Sequence, residues 1–192
     1  VLRKSGEKFL RLGNAMLERQ CLALALYHEA RGEPLAGQIA VAATILNRVA
    51  SRAYPDSICG VVFEGALRPT GCQFTFTCDR RSDMPRNLRV YWRLHRLSGE
   101  ILAVSRGEAS GIPVARRALI RATLQRFVLS THYHRHDVYP SWSRRMGRIA
   151  RIGNHVFFRS HRVLKRIPDE QRLTLLGLAA DAGTGAVIRR GL

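Results

Sequence analysis

Two stretches with helical periodicity, 20–30 and 34–50, are separated by only Arg31, Gly32 and Glu33. The first carries apolar residues at Cys21, Leu22, Leu24, Ala25 and Leu26, and the second at Ile39, Val41, Ala42, Ile45, Leu46 and Val49, a buried stripe at helical period. Gly32 ends the first helix and Pro34 suits the first position of the next. So short a link makes two apolar helices meet at a tight corner, with Glu29 facing it from the last turn of the first. A carboxyl that follows the apolar run 22–27 is partly desolvated, which raises its pKa toward the value a neutral-pH general acid requires. An ordinary ion pair with Arg31 or Arg48 is the competing assignment.

The remaining pattern is mixed. Residues 10–19 read as a separate, weaker helix, and 88–106 as a long one with Trp92, Leu97, Ile101 and Leu102 turned to the core. Residues 58–63 form a short apolar stretch suited to a strand, and 73–77 alternate polar and aromatic residues as a strand or hairpin does. Residues 119–130 fit helix or strand equally. Residues 131–142 are rich in His, Tyr and Trp, and 152–158 read as a final strand. Helices dominate and strands are few, which predicts an α+β domain, mainly helical, with a small antiparallel sheet. No apolar run approaches the ~20 residues of a membrane helix.

Lys and Arg number 32 against 14 Asp and Glu, a formal net charge of +18. Such a field attracts polyanions of any kind, nucleic acid and anionic cell-wall polymers alike. The basic residues are spread along the chain and no helix-turn-helix, zinc-finger or RNP pattern accompanies them, so no nucleic acid partner is expected. The few acids narrow the search for a catalytic carboxylate. Glu7, Glu18, Asp83, Asp169 and Glu170 have polar neighbours and read as solvated, whereas Glu29 does not. Four cysteines, Cys21, Cys59, Cys72 and Cys78, form no C-x-x-C pair. An even count is compatible with two disulfides and an oxidising compartment, and allows three connectivities. His132, His134, His136 and Asp137 superficially suggest a metal site, but their order does not match a metallo-hydrolase motif and further ligands have no counterpart, so no metal is expected.

Several blocks together resemble the SleB-type cell wall hydrolases, in family order across 21–159. They are Tyr27-His28-Glu29-Ala30-Arg31-Gly32-Glu33-Pro34 with Asn47-Arg48-Val49; Ile58-Cys59-Gly60-Val61-Val62; Gly71-Cys72-Gln73-Phe74-Thr75-Phe76-Thr77-Cys78-Asp79; Thr131-His132-Tyr133-His134; Pro140-Ser141-Trp142; and Gly153-Asn154-His155-Val156-Phe157-Phe158. The resemblance implies a lysozyme- or lytic-transglycosylase-like fold. It also implies a peptidoglycan-degrading enzyme that cuts between N-acetylmuramic acid and N-acetylglucosamine, leaves anhydro-muramyl ends and needs no cofactor. The catalytic acid would be the first Glu of the E-A-R-G-E block, here Glu29. Two departures stand out. Arg80 follows Asp79 where the pattern leads to Gly, and Phe158 stands where Tyr is usual.

On this basis 1–19 is a helical lead-in, 20–160 the catalytic domain and 161–192 a basic tail without assigned role. Gln73 and Phe74 are candidates for substrate contact, since an amide bonds N-acetyl groups and an aromatic face covers a sugar ring. His132, Tyr133 and Trp142 are candidates for a groove wall, and Glu33, ahead of Pro34, for a helix cap. The disulfides expected are Cys72–Cys78, whose intervening segment must loop back for the sulfurs to meet, and Cys21–Cys59. The expected partners are peptidoglycan glycan strands and anionic wall polymers. The expected location is the periplasm or cell envelope, or a virion, although no signal peptide is visible at Val1-Leu2-Arg3-Lys4. The competing functions are a basic nucleic-acid-binding protein and a non-catalytic wall-binding or virion subunit.

Overall fold

The computed structural model describes residues 2–68 and 71–160. The expected tail, 161–192, lies outside them. Five helices come first: α1 (Leu2–Ala30), α2 (Leu35–Val49), α3 (Ile58–Val62), α4 (Leu88–Ser105) and α5 (Val114–Arg126). Three strands follow: β1 (His132–Arg135), β2 (Gly147–Ile152) and β3 (His155–Arg159). The sheet is antiparallel, in the order β1-β3-β2. The α+β expectation therefore holds, with helices in the majority and a small sheet at the end of the described residues.

The lead-in is not a separate element, because α1 runs unbroken across residue 19. Residues 14–30 contain no Gly or Pro to interrupt it. Its earlier part reads as weak because Leu12, Met16 and Leu17 are exposed there. Pro34 sits one position earlier than expected, as the residue capping α2 in an extended conformation.

α2 is the centre of the molecule. Gly37 through Ile45, Asn47 and Arg48 are all buried, so the helix is enclosed on nearly every side. Its polar side chains are bonded rather than stranded. Thr44 Oγ1 meets Ser130 Oγ at 2.7 Å, and Asn47 Nδ2 donates to the carbonyls of Phe127 and Ser130, each at 2.8 Å. Arg48 Nε donates to Thr131 O at 2.8 Å. These bonds tie the segment that enters β1 to the core helix, as buried polar groups must be tied.

α4 packs antiparallel on α1. Arg19 Nε donates to His95 O at 2.9 Å near one end, and Asn87 N donates to Tyr27 Oη at 3.0 Å near the other. Leu94, Leu97, Ser98, Ile101 and Leu102 form its buried face. Trp92, expected in the core, is 59% exposed. Two residues from Leu94 is roughly 200° around a helix, which carries the indole to the opposite side.

Two strand expectations fail. Residues 58–62 form α3, whose first turn is capped by the Ser57 hydroxyl, which accepts from Gly60 N at 3.0 Å. The Glu18 carboxylate, which reads as solvated in the sequence, accepts from Ile58 N and Cys59 N at that same turn. Residues 73–77 form a loop with a single 3₁₀ turn, Thr75–Thr77, closed by Thr77 Oγ1 donating to Phe74 O at 2.8 Å. Both expected disulfides are present: Cys21–Cys59 with Cα atoms 5.2 Å apart, and Cys72–Cys78 at 6.3 Å. The expected strand 152–158 is the last residue of β2, a turn at Gly153 and Asn154, and most of β3. β2 escapes pattern reading because an irregularity between Arg148 and Ala150 breaks its two-residue period.

Candidate active site

Glu29 lies in the last turn of α1, half-buried, one residue before the helix ends. Tyr133, reaching over from β1, donates its hydroxyl to Glu29 Oε2 at 3.0 Å. Burial pushes the carboxyl pKa up, while the Tyr133 hydrogen bond and the charges of His28 and Arg48 pull it partway back. The Tyr133 phenol is pushed well above its ordinary range, by burial first and by the neighbouring carboxylate second, so it stays a donor. Glu29 Oε1 makes no hydrogen bond among the described residues.

Neither arginine of the competing assignment forms an ion pair with Glu29 among the described residues. Arg31 Nη1 donates to Tyr27 O at 3.1 Å, and its guanidinium lies over the Tyr27 ring. Arg48 is 3% exposed and is held between the rings of Tyr54 and Phe74, 5.4 and 5.6 Å from their centroids. It therefore acts on Glu29 as a nearby buried charge without direct contact.

Phe74 does not line a groove. It is 3% exposed, and its ring supports Arg48 from the core. An enclosed ring cannot stack on a sugar. Gln73 is half-buried, and with its amide oxygen turned toward Arg48 it accepts from Nη1 at 3.0 Å and Nη2 at 3.2 Å. The three groove-wall candidates separate onto the two faces of β1. Tyr133 packs with His155 and Phe157 on the face toward Glu29. His132 and His134 pack with Trp142 on the other face, where Trp142 rests against Phe158. Burial first, and the charge of Arg48 second, hold the His132 pKa down at about 4, so its ring is neutral at pH 7. Among the described residues, no group of three His, Cys, Asp or Glu side chains is placed to hold a metal.

Glu33 is not a helix cap. Its carboxylate accepts from Asn154 N at 3.0 Å and Asn154 Nδ2 at 3.1 Å, clamping the β2–β3 turn to the α1–α2 corner. Glu64, which no local sequence pattern marks, has its Oε2 buried without a hydrogen-bond partner among the described residues and its charge near Arg48. The signal available was Arg48 itself, a charged residue three positions beyond Ile45 in the apolar stripe of α2. A buried guanidinium needs carbonyl and carboxylate company.

A family model described as Cell Wall Hydrolase matches residues 32–158, which begins three residues after Glu29. The spore cortex-lytic enzyme of Halalkalibacterium halodurans is 60% identical over 45 residues, 23% of this chain and 14% of that protein. That of Oceanobacillus iheyensis is 54% identical over 52 residues, 27% of this chain and 19% of that protein. The alignments thus span less than a fifth of these relatives' own length. The crystal structure of the catalytic domain of the Bacillus cereus SleB protein is 28% identical, covering 74% of this chain and 89% of that chain at a TM-score of 0.47.

Proposed function

The chain belongs to the cell wall hydrolase family, and from that premise we propose that it cleaves peptidoglycan between N-acetylmuramic acid and N-acetylglucosamine, with Glu29 as its single acid–base catalyst. The observation that carries this reading is a half-buried carboxyl with one oxygen held by Tyr133 and the other without a hydrogen-bond partner among the described residues. Glu29 donates its proton to the glycosidic oxygen as the N-acetylglucosamine side departs. The muramyl C6 hydroxyl closes on C1 of its own sugar, and its proton returns to Glu29. An intramolecular nucleophile has a high effective concentration, so no second carboxylate is needed to activate water.

Two other nearby acids support the one-carboxylate scheme by being engaged elsewhere. Glu33 accepts from Asn154, and Asp79 accepts from Arg81 N at 2.9 Å. The name carried by the matching relatives, spore cortex-lytic enzyme, agrees with a wall substrate. Two disulfides agree with an exported protein of the cell envelope. The test is to digest purified sacculi and weigh the released muropeptides. The expected end is anhydro-muramyl, lighter by one water than the hydrolysed sugar. A reducing muramyl end would sink the one-carboxylate mechanism, and a reducing N-acetylglucosamine end would sink the choice of bond.

A further inference from the structure

The segment 80–96 joins the Cys72–Cys78 loop to the exposed side of α4. It carries six arginines, Arg80, Arg81, Arg86, Arg89, Arg93 and Arg96, against one acid, Asp83. All six are exposed, and among the described residues none stands within salt-bridge distance of a carboxylate. Arg89, Arg93 and Arg96 recur at helical spacing along α4 and form one stripe. Leu88 and Trp92, one turn apart, lie beside it, 58% and 59% exposed. A stripe of exposed guanidinium groups beside an open indole matches a ligand with carboxylates at intervals along a chain of sugar rings.

The position of this surface agrees. His28 Nε2 meets Asp83 O at 3.1 Å, Asn87 N donates to Tyr27 Oη, and Tyr91 packs edge-on against Tyr27. Tyr27 and His28 are the two residues before Glu29, so the basic surface starts beside the catalytic corner. Arg80 adds an independent observation. Its φ is +61°, a left-handed conformation that favours glycine and strains an ordinary side chain. A cation stands where glycine would be unstrained.

We propose that the arginine stripe of α4, with Trp92 and Arg80, binds the stem-peptide carboxylates of the glycan strand whose bond Glu29 cuts. This rests on the proposed function above and names the part of the substrate read outside the catalytic corner. The probe is the Glu29→Gln protein, which holds strands without cutting them. Its affinity is measured for glycan strands bearing stem peptides and for the same strands stripped of peptide by an amidase. The expected result is about tenfold tighter binding to the peptide-bearing strands, since exposed charge pairs each contribute little. Adding Arg89→Gln, Arg93→Gln and Arg96→Gln should abolish that preference, and three Arg→Lys changes should retain part of it. Arg80→Gly should raise the melting temperature while weakening binding.

Equal affinity for both strands, or a preference that survives the three Gln changes, overturns the proposal. So does an arginine-dependent affinity for acidic phospholipid vesicles that exceeds the affinity for peptide-bearing strands, because the surface would then be a membrane contact. The proposed function fails separately, if the unmutated protein releases no anhydro-muramyl ends while the binding preference persists.

Discussion

At Glu29, the proposed function and stability pull in opposite directions. Burial raises its pKa in the folded chain, so the native state holds this proton more tightly than the unfolded state does. The associated stability is complete at pH below the unfolded value and is lost as pH rises through the raised native value. Glu29→Gln therefore removes a carboxyl whose charged form is poorly solvated in the fold. We expect wall cleavage to fall by ~10²-fold or more, the worth of a general acid, with a melting temperature at pH 7 equal to or above that of the parent. Dye release from labelled sacculi and a thermal melt check both, and an active variant would remove Glu29 from the chemistry. Tyr133 tunes the same proton. Its hydroxyl stabilises the carboxylate and so lowers the Glu29 pKa, which means that Tyr133→Phe should raise it. The acid form would then persist further into alkali, and the alkaline limb of the pH–rate profile should move upward. A downward shift, or none, would contradict this role. The half-buried place of Glu29 was legible in the sequence because an acid after an apolar helix is conspicuous. Tyr133 as its donor was not, because 104 residues separate the two.

Among the elements, the sheet and the helical corner are joined at one small contact. Glu33 holds Asn154, and Gly153 turns at φ +55° directly against Glu33 and Pro34 Cδ, where a Cβ would find no room. β3 begins at the next residue and pairs with β1 so that Tyr133 stands opposite Phe157. The clamp thus sets where the sheet, and with it the Tyr133 hydroxyl, sits relative to Glu29. Glu33→Ala should cost ~1–2 kcal/mol, the worth of hydrogen bonds to a charged acceptor near the surface. Gly153→Ala should cost at least as much, because it adds a left-handed Cβ to the lost space. Denaturant melts measure both. Unchanged stability in Glu33→Ala would mean that the hairpin is held by its strand pairing alone. Glu33 read as a cap because an acid before Pro34 is a local signal. Its partner Asn154 lies 121 residues away, and no local signal points to it.

For the whole molecule, charge and chemistry separate. If the net charge of +18 drives association with an anionic wall, it does so through exposed groups, which salt screens over a ~10 Å Debye length at about 0.1 M. The proton transfer proposed for Glu29 would take place in a partly enclosed corner. Sacculus binding should therefore weaken steeply between low and moderate salt, while the cleavage rate of bound enzyme stays nearly constant. Co-sedimentation and single-turnover cleavage across a salt series test this, and salt-independent binding would show that the basic surface serves another purpose.

Helical periodicity was strong enough to announce α2, α4 and the second half of α1, since a buried stripe repeats within each element and needs no partner to be seen. The same holds for the tight corner and for Glu29 beside it. Short segments were ambiguous for the opposite reason. Residues 58–62 are helical because Ser57 and Glu18 cap their first turn, and 73–77 roll into a turn with Phe74 and Phe76 inside and Cys72 joined to Cys78. Such contacts outweigh a five-residue propensity. Trp92 and Phe74 exchanged their expected places for a related reason. Composition assigns an aromatic ring to core or surface only on average, whereas helix phase in one case and the cover over Arg48 in the other settle it for a particular residue.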